Sequence, residues 1–481
     1  MSSIKTDTFK GLIWASIGNI GGGLINILIT MLLARLLNPS DFGILELIIV
    51  VTSISVVFVD SGFSQALIRD RNATSDDFST VFFINLLISC VLYIILFFTT
   101  PILASFWSIE NFTILGRVAF LVIIFDALGL IQNVTFTKSM NFKPIAIAVL
   151  VSTLLAGIIG ALLAYLKLGV WALVSFLVLT SVFKTIILWI QGKWLPKATF
   201  SRKSLIKYYK FGSFLFIQSL VDKIMINIES LLIGRFYTKS QLGFFSQSRK
   251  IDSYLGQALT NIVVKVSYPA LVKINDTDAK LKNGYRKIIG LTTFVIIPFM
   301  LFMIVFPDLC MATIFGEKWA DAGIYLRWWA IFGIVHPIQS ICNNIFYVKG
   351  KSKELLIITV VKQVLKAAAI IALVNTSVLY MQIGIILTSI IMMLVYVARS
   401  GRLISYNTIE LGKDVSHNFL SGIIAVISVY FFYRIAPIQS PLVMFLCLGL
   451  LHIAVYFSIN LLTKNVNLLE ITSLVKKTMH K

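Results

Sequence analysis

The stretch ARLLNPSDFGIL at residues 34–45 closes one apolar run and opens the next, and GRFYTKSQLGFF at residues 234–245 does the same later in the chain. Arg35/Arg235, Ser40/Ser240 and Gly43/Gly243 pair at a constant offset of 200, with Lys10/Lys210 upstream at the same spacing. Pro101 then matches Pro307 at offset 206, and Arg117, Asn133 and Phe136 match Arg327, Asn343 and Phe346 at offset 210. A slowly growing offset is what duplication followed by short loop insertions leaves behind. Six apolar runs separate the copies, so both have the same orientation and are expected to be related by an axis along the membrane normal.

The runs themselves fix the class. Of 481 residues, 58% are hydrophobic and only 13% charged, and the mean hydropathy is +0.90. A soluble fold of this composition would aggregate. Since about 20 apolar residues cross a bilayer, polar breaks define fourteen spans: 11–37, 42–68, 79–106, 112–136, 143–166, 169–191, 208–234, 241–270, 284–312, 322–348, 355–373, 378–399, 416–434 and 440–462. The expected fold is an all-α polytopic membrane protein with two six-helix bundles related by a parallel repeat, at 1–191 and 208–399. Residues 192–207 form a cytoplasmic linker, and 400–481 supply two extra helices and a cytoplasmic tail. No cleavable leader is visible, because the first run continues past twenty residues without a small-residue cleavage site.

The net charge of +21 would point to nucleic acid in a soluble chain. Here its distribution gives another reading. One set of span ends carries 27 Lys and Arg and the opposite set 8, which predicts cytoplasmic termini. Nucleic acid is therefore not an expected partner. The other seven, Lys184, Lys223, Arg249, Lys250, Lys265, Lys362 and Lys366, fall within spans. With the longest connection only about sixteen residues, from Gly192 to Lys207, no catalytic domain sits between helices, and an enzyme is not expected. Cys90, Cys310, Cys342 and Cys447 lie in apolar runs without disulfide or metal spacing, so no metal site is expected.

Polar residues inside the spans are the candidates for function. On the eighth span Arg249, Asp252, Ser253, Gly256, Gln257, Thr260, Asn261 and Lys265 recur at three- and four-residue steps and are expected to share a face. A charge at the bilayer centre costs at least about 2.5–3.5 kcal/mol, so this stripe must face protein or water. The seventh span adds Gln218, Asp222 and Glu229 with Lys223 beside them; the second adds Glu46, Ser53 and Asp60; the first adds Asn19 and Asn26. Lys223, Arg249, Lys250, Lys265, Lys362 and Lys366 outnumber Asp222, Glu229 and Asp252, and this surplus asks for an anionic guest. Lys362 and Lys366, four apart, could clamp a phosphate or diphosphate. Gly18 and Gly22 have the GxxxG spacing of close helix packing.

The segment LLARLLNPSDFGILELIIVVTSISVVFVDSGFSQALIRDRNATSDDFSTVFFINLLIS, from Leu32 to Ser89, resembles the N-terminal region of Wzx-type and teichuronic-acid-type polysaccharide exporters. These are lipid-linked oligosaccharide flippases of the multidrug/oligosaccharidyl-lipid/polysaccharide exporter superfamily. Gly43 stands at the FG position, and Asp60, Gly62, Gln65, Ala66, Leu67 and Ile68 stand in the DxGxxxALI pattern. The resemblance implies a multi-pass flippase of the bacterial cytoplasmic (inner) membrane. It would carry undecaprenyl-diphosphate-linked oligosaccharide from the cytoplasmic to the periplasmic or outer leaflet by alternating access, for O-antigen, lipopolysaccharide, capsule or exopolysaccharide assembly. Related flippases use basic residues on the first, second and eighth spans. Arg249, Lys250 and Lys265 supply the eighth here, whereas the first offers only Arg35 near its end and the second none before Arg69.

On this reading Arg249, Lys250, Lys265, Lys223, Lys362 and Lys366 meet the diphosphate, and Gln257, Asn261, Asn19 and Asn26 meet sugar hydroxyls. Asp60, Asp222, Glu229, Asp252 and Glu46 act as charge partners or coupling sites. No cofactor is expected, although the in-span acids motivate coupling to a proton or sodium gradient. Expected partners are the bilayer, the lipid-linked oligosaccharide and polysaccharide polymerase and chain-length machinery, with the chain itself a monomer. Two rivals differ in their demands. A cation-coupled multidrug extruder of the same superfamily predicts a neutral or negative cavity, and a polymerase or ligase needs a sizeable periplasmic loop with catalytic His or Arg.

Overall fold

The computed structural model describes residues 11, 13–435 and 440–479, and these are helical with no strand. They form two compact units, Met1–Gly243 and Phe244–Lys481. The first contains α1 (Ile13–Leu36), α2 (Pro39–Asp60), α3 (Phe63–Arg69), α4 (Ser75–Trp107), α5 (Phe112–Lys138), α6 (Lys143–Tyr165), α7 (Val170–Gln191) and α8 (Arg202–Phe236). Helix α9 (Lys239–Asp252) carries the chain across the boundary. The second unit continues through a π turn (Ser253–Gln257) into α10 (Ala258–Lys273), α11 (Asp278–Val305), α12 (Pro307–Phe315), α13 (Gly323–Val348), α14 (Ser352–Leu373), α15 (Val378–Arg402), α16 (Thr408–Ile435), α17 (Pro441–Leu462) and α18 (Val466–Met479).

Eleven helices among the described residues are long and apolar enough to cross a membrane: α1, α2, α4 to α7, α11 and α14 to α17. The three other expected spans are also helical. These are α8, the α9–α10 pair and α13. The span expected at 241–270 is not one uninterrupted α-helix, because the π turn divides it into pieces of 14 and 16 residues.

Helix starts follow from capping chemistry. Asn38 and Asp41 form a reciprocal capping box at α2, and Thr74 and Asp77 form another at α4. At α9, Thr238 and Gln241 repeat the Asn38/Asp41 arrangement 200 residues on, with Thr238 N donating to Gln241 Oε1 at 3.2 Å and Gln241 N to Thr238 Oγ1 at 3.3 Å. The preceding helices also end alike: Leu37 N donates to Leu33 O at 2.8 Å and Tyr237 N to Ile233 O at 2.9 Å. Inside the first unit these copies meet. A Cβ on Gly43 would overlap the Lys239 carbonyl, and one on Gly243 would overlap the Pro39 carbonyl. Of the repeat pairs, Lys10 lies outside the described residues.

The GxxxG pair packs α1 on α6, where Gly18 faces Ala146 and Gly22 faces Val149. Helices α6 and α7 form a tight antiparallel hairpin over residues 166–169. The basic ends of the first unit are tied by Asp70, whose carboxylate accepts from Lys207 and from the Tyr208 hydroxyl. The Lys207 hydrogen bond, followed by that from Tyr208, holds the Asp70 carboxyl down at about 2. In the second unit α11 is central, burying Ile289, Phe294, Ile297 and Met300 among its neighbours α13 and α16.

Gly43→Ala or Gly243→Ala should cost about 1–3 kcal/mol through overpacking against backbone, read as a lower melting temperature of the purified protein. Gly449→Ala, with nothing within 4 Å, is the control and should be neutral or stabilising. Equal effects at the three sites would refute the close approach. Because the folded Asp70 pKa lies below its ordinary value, the stability it contributes is complete above about pH 4 and fades as pH falls toward about 2. Asp70→Asn should therefore lower the melting temperature at neutral pH, with a deficit that shrinks through that window. A deficit independent of pH would argue against an ionic tie.

Candidate functional site

In the first unit, α2, α5, α7 and α8 enclose a cavity of about 370 Å³ whose polar lining includes Thr52, Ser53, Asp60, Asp126, Ser219 and Lys223. Asp60 comes from the last residue of α2, where the chain turns through left-handed Ser61 and Gly62; its Oδ1 accepts from Ser64 N at 3.0 Å. Asp126 interrupts the apolar run of α5 and accepts from Ser181 Oγ on α7 at 2.7 Å. Lys223 is exposed on α8. One turn further, Asn227 Nδ2 donates to Ser53 Oγ at 3.2 Å and to the Lys223 carbonyl at 2.7 Å. Beyond it Ser230 Oγ donates to Glu46 Oε1 at 2.9 Å, both residues buried. One ammonium on a flexible stem beside two carboxylates leaves this lining with one net negative charge, and its carboxylates, hydroxyls and ammonium can together engage sugar hydroxyls.

The face expected to unite Gln218, Asp222 and Glu229 changes surroundings along its length. Gln218 and Asp222 are exposed, whereas Glu229 is 2% exposed. On α1, Asn26 Oδ1 accepts from Thr30 Oγ1 at 3.4 Å and Asn19 is exposed within the π turn at Ile17–Gly21. Neither asparagine lines the Asp60 cavity.

In the second unit the expected single stripe on the eighth span is broken. Asp252, Gly256 and Thr260 are buried, while Ser253 and Lys265 are exposed. Asp252, Gly256 and Thr260, at four-residue steps across the π turn, keep one buried line, and Ser253 and Lys265 lie off it. Asp252 is 1% exposed; its Oδ2 accepts from Gln257 Nε2 at 3.1 Å and its Oδ1 has no hydrogen-bond partner among the described residues. Gly256 and Gly333 leave room for that oxygen. Arg249 and Lys250 are half-buried, with the Arg249 guanidinium 5.8 Å from the Phe245 ring centroid. The side chain of Asn261 lies outside the described residues. On α14, Lys362 and Lys366 are half-buried, and Lys362 Nζ already donates to Gln339 Oε1 on α13 at 2.9 Å. Between α10 and α11 lies an apolar cavity of about 430 Å³, lined by Leu259, Ile262, Val266, Ile288 and Val295.

Residues 32–324 match the family described as polysaccharide biosynthesis protein. The chain belongs to the polysaccharide biosynthesis protein family. It is similar to the teichuronic acid biosynthesis protein TuaB of Bacillus subtilis, at 24% identity over 73% of each chain. It is also similar to the lipopolysaccharide biosynthesis protein WzxC of Escherichia coli, at 21% identity over 73% of this chain and 71% of that one. Its fold is that of the lipid II flippase MurJ in an inward closed conformation, with a TM-score of 0.75 at 15% identity, covering 95% of this chain and 99% of MurJ. An inward-facing multidrug resistance MATE transporter gives a TM-score of 0.62 at 15% identity over 82% and 98% of the two chains. This member of the polysaccharide biosynthesis protein family is thus a multi-pass membrane protein with the fold shared by those transporters.

Asp126 lines the cavity and was missed by sequence reasoning, as were Asn227 and Ser230, which bond Ser53 and Glu46 behind it. A lone acid in LVIIFDALGL was the available signal for Asp126, whereas Asn227 and Ser230 look like ordinary helix residues until α2 is packed against them. If the Asp60 cavity is open to water, Lys223→Cys and Ser219→Cys in a background with the native cysteines replaced should react with a membrane-impermeant thiol reagent, and Glu46→Cys should not. Equal labelling of the three would refute the cavity.

Proposed function

We propose that the protein flips an undecaprenyl-diphosphate-linked oligosaccharide across the bacterial cytoplasmic membrane by alternating access, for assembly of a surface polysaccharide. The observation that carries this reading is the family match over residues 32–324, joined to a fold that covers nearly all of MurJ. Names of relatives support the substrate class, since TuaB and WzxC are named for teichuronic acid and lipopolysaccharide biosynthesis.

Arg249, Lys250, Lys265 and Lys223 are proposed to meet the diphosphate, with Lys362 and Lys366 as further cations. Gln257, Asn261, Asn19, Asn26 and the hydroxyls around Asp60 take sugar hydroxyls. The apolar lining between α10 and α11 suits a polyprenyl chain. Of the acids Asp60, Asp222, Glu229, Asp252 and Glu46, Asp252 is proposed as the coupling group for a proton or sodium ion, because it is buried with one carboxylate oxygen unpartnered among the described residues. The segments 1–191 and 208–399 are proposed as the two moving bundles, joined by 192–207, with 400–481 outside the repeat. Lys and Arg distribution supports cytoplasmic termini. A monomer that works beside a polymerase and chain-length machinery, with no catalytic step of its own, completes the proposal.

The test is flipping of a lipid-linked oligosaccharide in proteoliposomes. Arg249→Ala and Lys265→Ala should each reduce the rate by about tenfold or more, the loss of a charge-assisted contact, with insertion unchanged. Asp252→Asn should abolish any response to an imposed pH or sodium gradient. Wild-type rates in the first two variants would overturn the site, and absence of flipping by the wild-type chain would overturn the function.

A further inference from the structure

At the Lys/Arg-rich ends of α11 and α16, and at the turn joining α17 to α18, the second unit holds a cavity of about 490 Å³ that none of the roles above uses. Four cations line it: Arg286, Lys287, Lys413 and Lys464. Two are consumed internally. Arg286 makes a two-pronged pair with Asp414, at 2.7 Å from Nε and 2.5 Å from Nη2, and Lys287 pairs with Glu470 at 2.7 Å. These pairs tie α11 to α16 and to α18. Lys413 and Lys464 form no ion pair among the described residues, so the cavity keeps two uncompensated positive charges.

The turn that presents Lys464 is fixed from beneath. Asn418 is fully buried; its Nδ2 donates to the Gly290 carbonyl at 3.1 Å, and its Oδ1 accepts from Asn465 Nδ2 at 3.1 Å and Asn467 Nδ2 at 3.3 Å. Lys464 itself sits in the left-handed region at φ 50. The first turn of α18 also borders the cavity, adding the positive end of a helix dipole. Next to this cationic recess Leu461, Leu462, Val466 and Leu469 are all exposed. A rigid basic recess at the Lys/Arg-rich helix ends, continuous with bare aliphatic side chains of α17 and α18, matches a molecule with an anionic head and hydrocarbon tails.

We propose that this recess binds the phosphate headgroup of a membrane lipid, with Lys413 and Lys464 on the phosphate and the acyl or prenyl chains over the α17–α18 skirt. The phosphate could belong to a bulk anionic phospholipid or to a polyprenyl diphosphate held outside the transport path.

The full chain, purified in mild detergent, would be offered equimolar phosphatidylglycerol and phosphatidylcholine and read by native mass spectrometry. The wild-type chain should retain phosphatidylglycerol about tenfold better than phosphatidylcholine. The doubly substituted Lys413→Gln/Lys464→Asn chain should lose that preference, whereas Lys413→Arg should keep it. Asn is chosen at 464 because it tolerates the left-handed backbone. Undecaprenyl diphosphate, added at equal concentration, separates the two sources: displacement of the variant-sensitive phosphatidylglycerol assigns the site to the carrier lipid, and persistence assigns it to bulk phospholipid. Equal retention of the two phospholipids, an unaltered preference in the double variant, or full displacement by sodium diphosphate would overturn the proposal. Since the readout is binding, its failure would leave the flippase proposal standing, and loss of flipping would leave this result intact.

Discussion

Inside hydrocarbon there is no water to complete a hydrogen bond, so polar groups at that depth must find partners within the protein. The fold answers in two ways. Isolated hydroxyls return to their own helix, as Thr52 does to Ile48 O at 2.9 Å, Thr153 to Val149 O at 2.7 Å and Thr293 to Ile289 O at 2.8 Å. Larger donors reach across to a neighbour and thereby fix helix pairing. Trp189 Nε1 donates to Leu128 O at 2.9 Å, Gln382 Nε2 to Tyr325 O at 2.9 Å, and Asn344 Nδ2 to Ser267 Oγ at 2.8 Å. With apolar packing unable to distinguish helix from lipid, such bonds and the glycine contacts supply much of the specificity.

Groups that escape this bookkeeping are therefore informative. Asp252, buried with one oxygen unpartnered among the described residues, and Lys223, open to a cavity with Asp60 and Asp126, are held where a closed structural network would have satisfied them. Charges at the helix ends behave differently: Asp70, Asp414 and Glu470 are each engaged by Lys or Arg. Ion pairs of this exposed kind contribute modestly to stability, but they set which ends lie together.

The helical class, the apolar spans and the repeat could be read from residues alone because they depend on local composition and on capping chemistry. Asn38/Asp41 and Thr238/Gln241 carry the same local instruction at offset 200. What could not be read is tertiary. Nothing in SYLGQ at 253–257 announces a π turn, which interrupts the expected single α-helix. Likewise Glu229 and Asp222 have equivalent positions on a helical wheel, yet tertiary packing leaves Glu229 buried and Asp222 exposed. Asp126 was visible as an acid in an apolar run, but that it lines one cavity with Lys223, far away in sequence, is set by packing.

The Gly43 and Gly243 contact has a consequence for how the duplicated segments can diverge. Each glycine makes room for the backbone that begins the other copy's helix, so the two positions are a single steric lock with two keyholes. A side chain gained in either copy is felt by both, and the rest of each copy is free to drift only around a point where neither can grow.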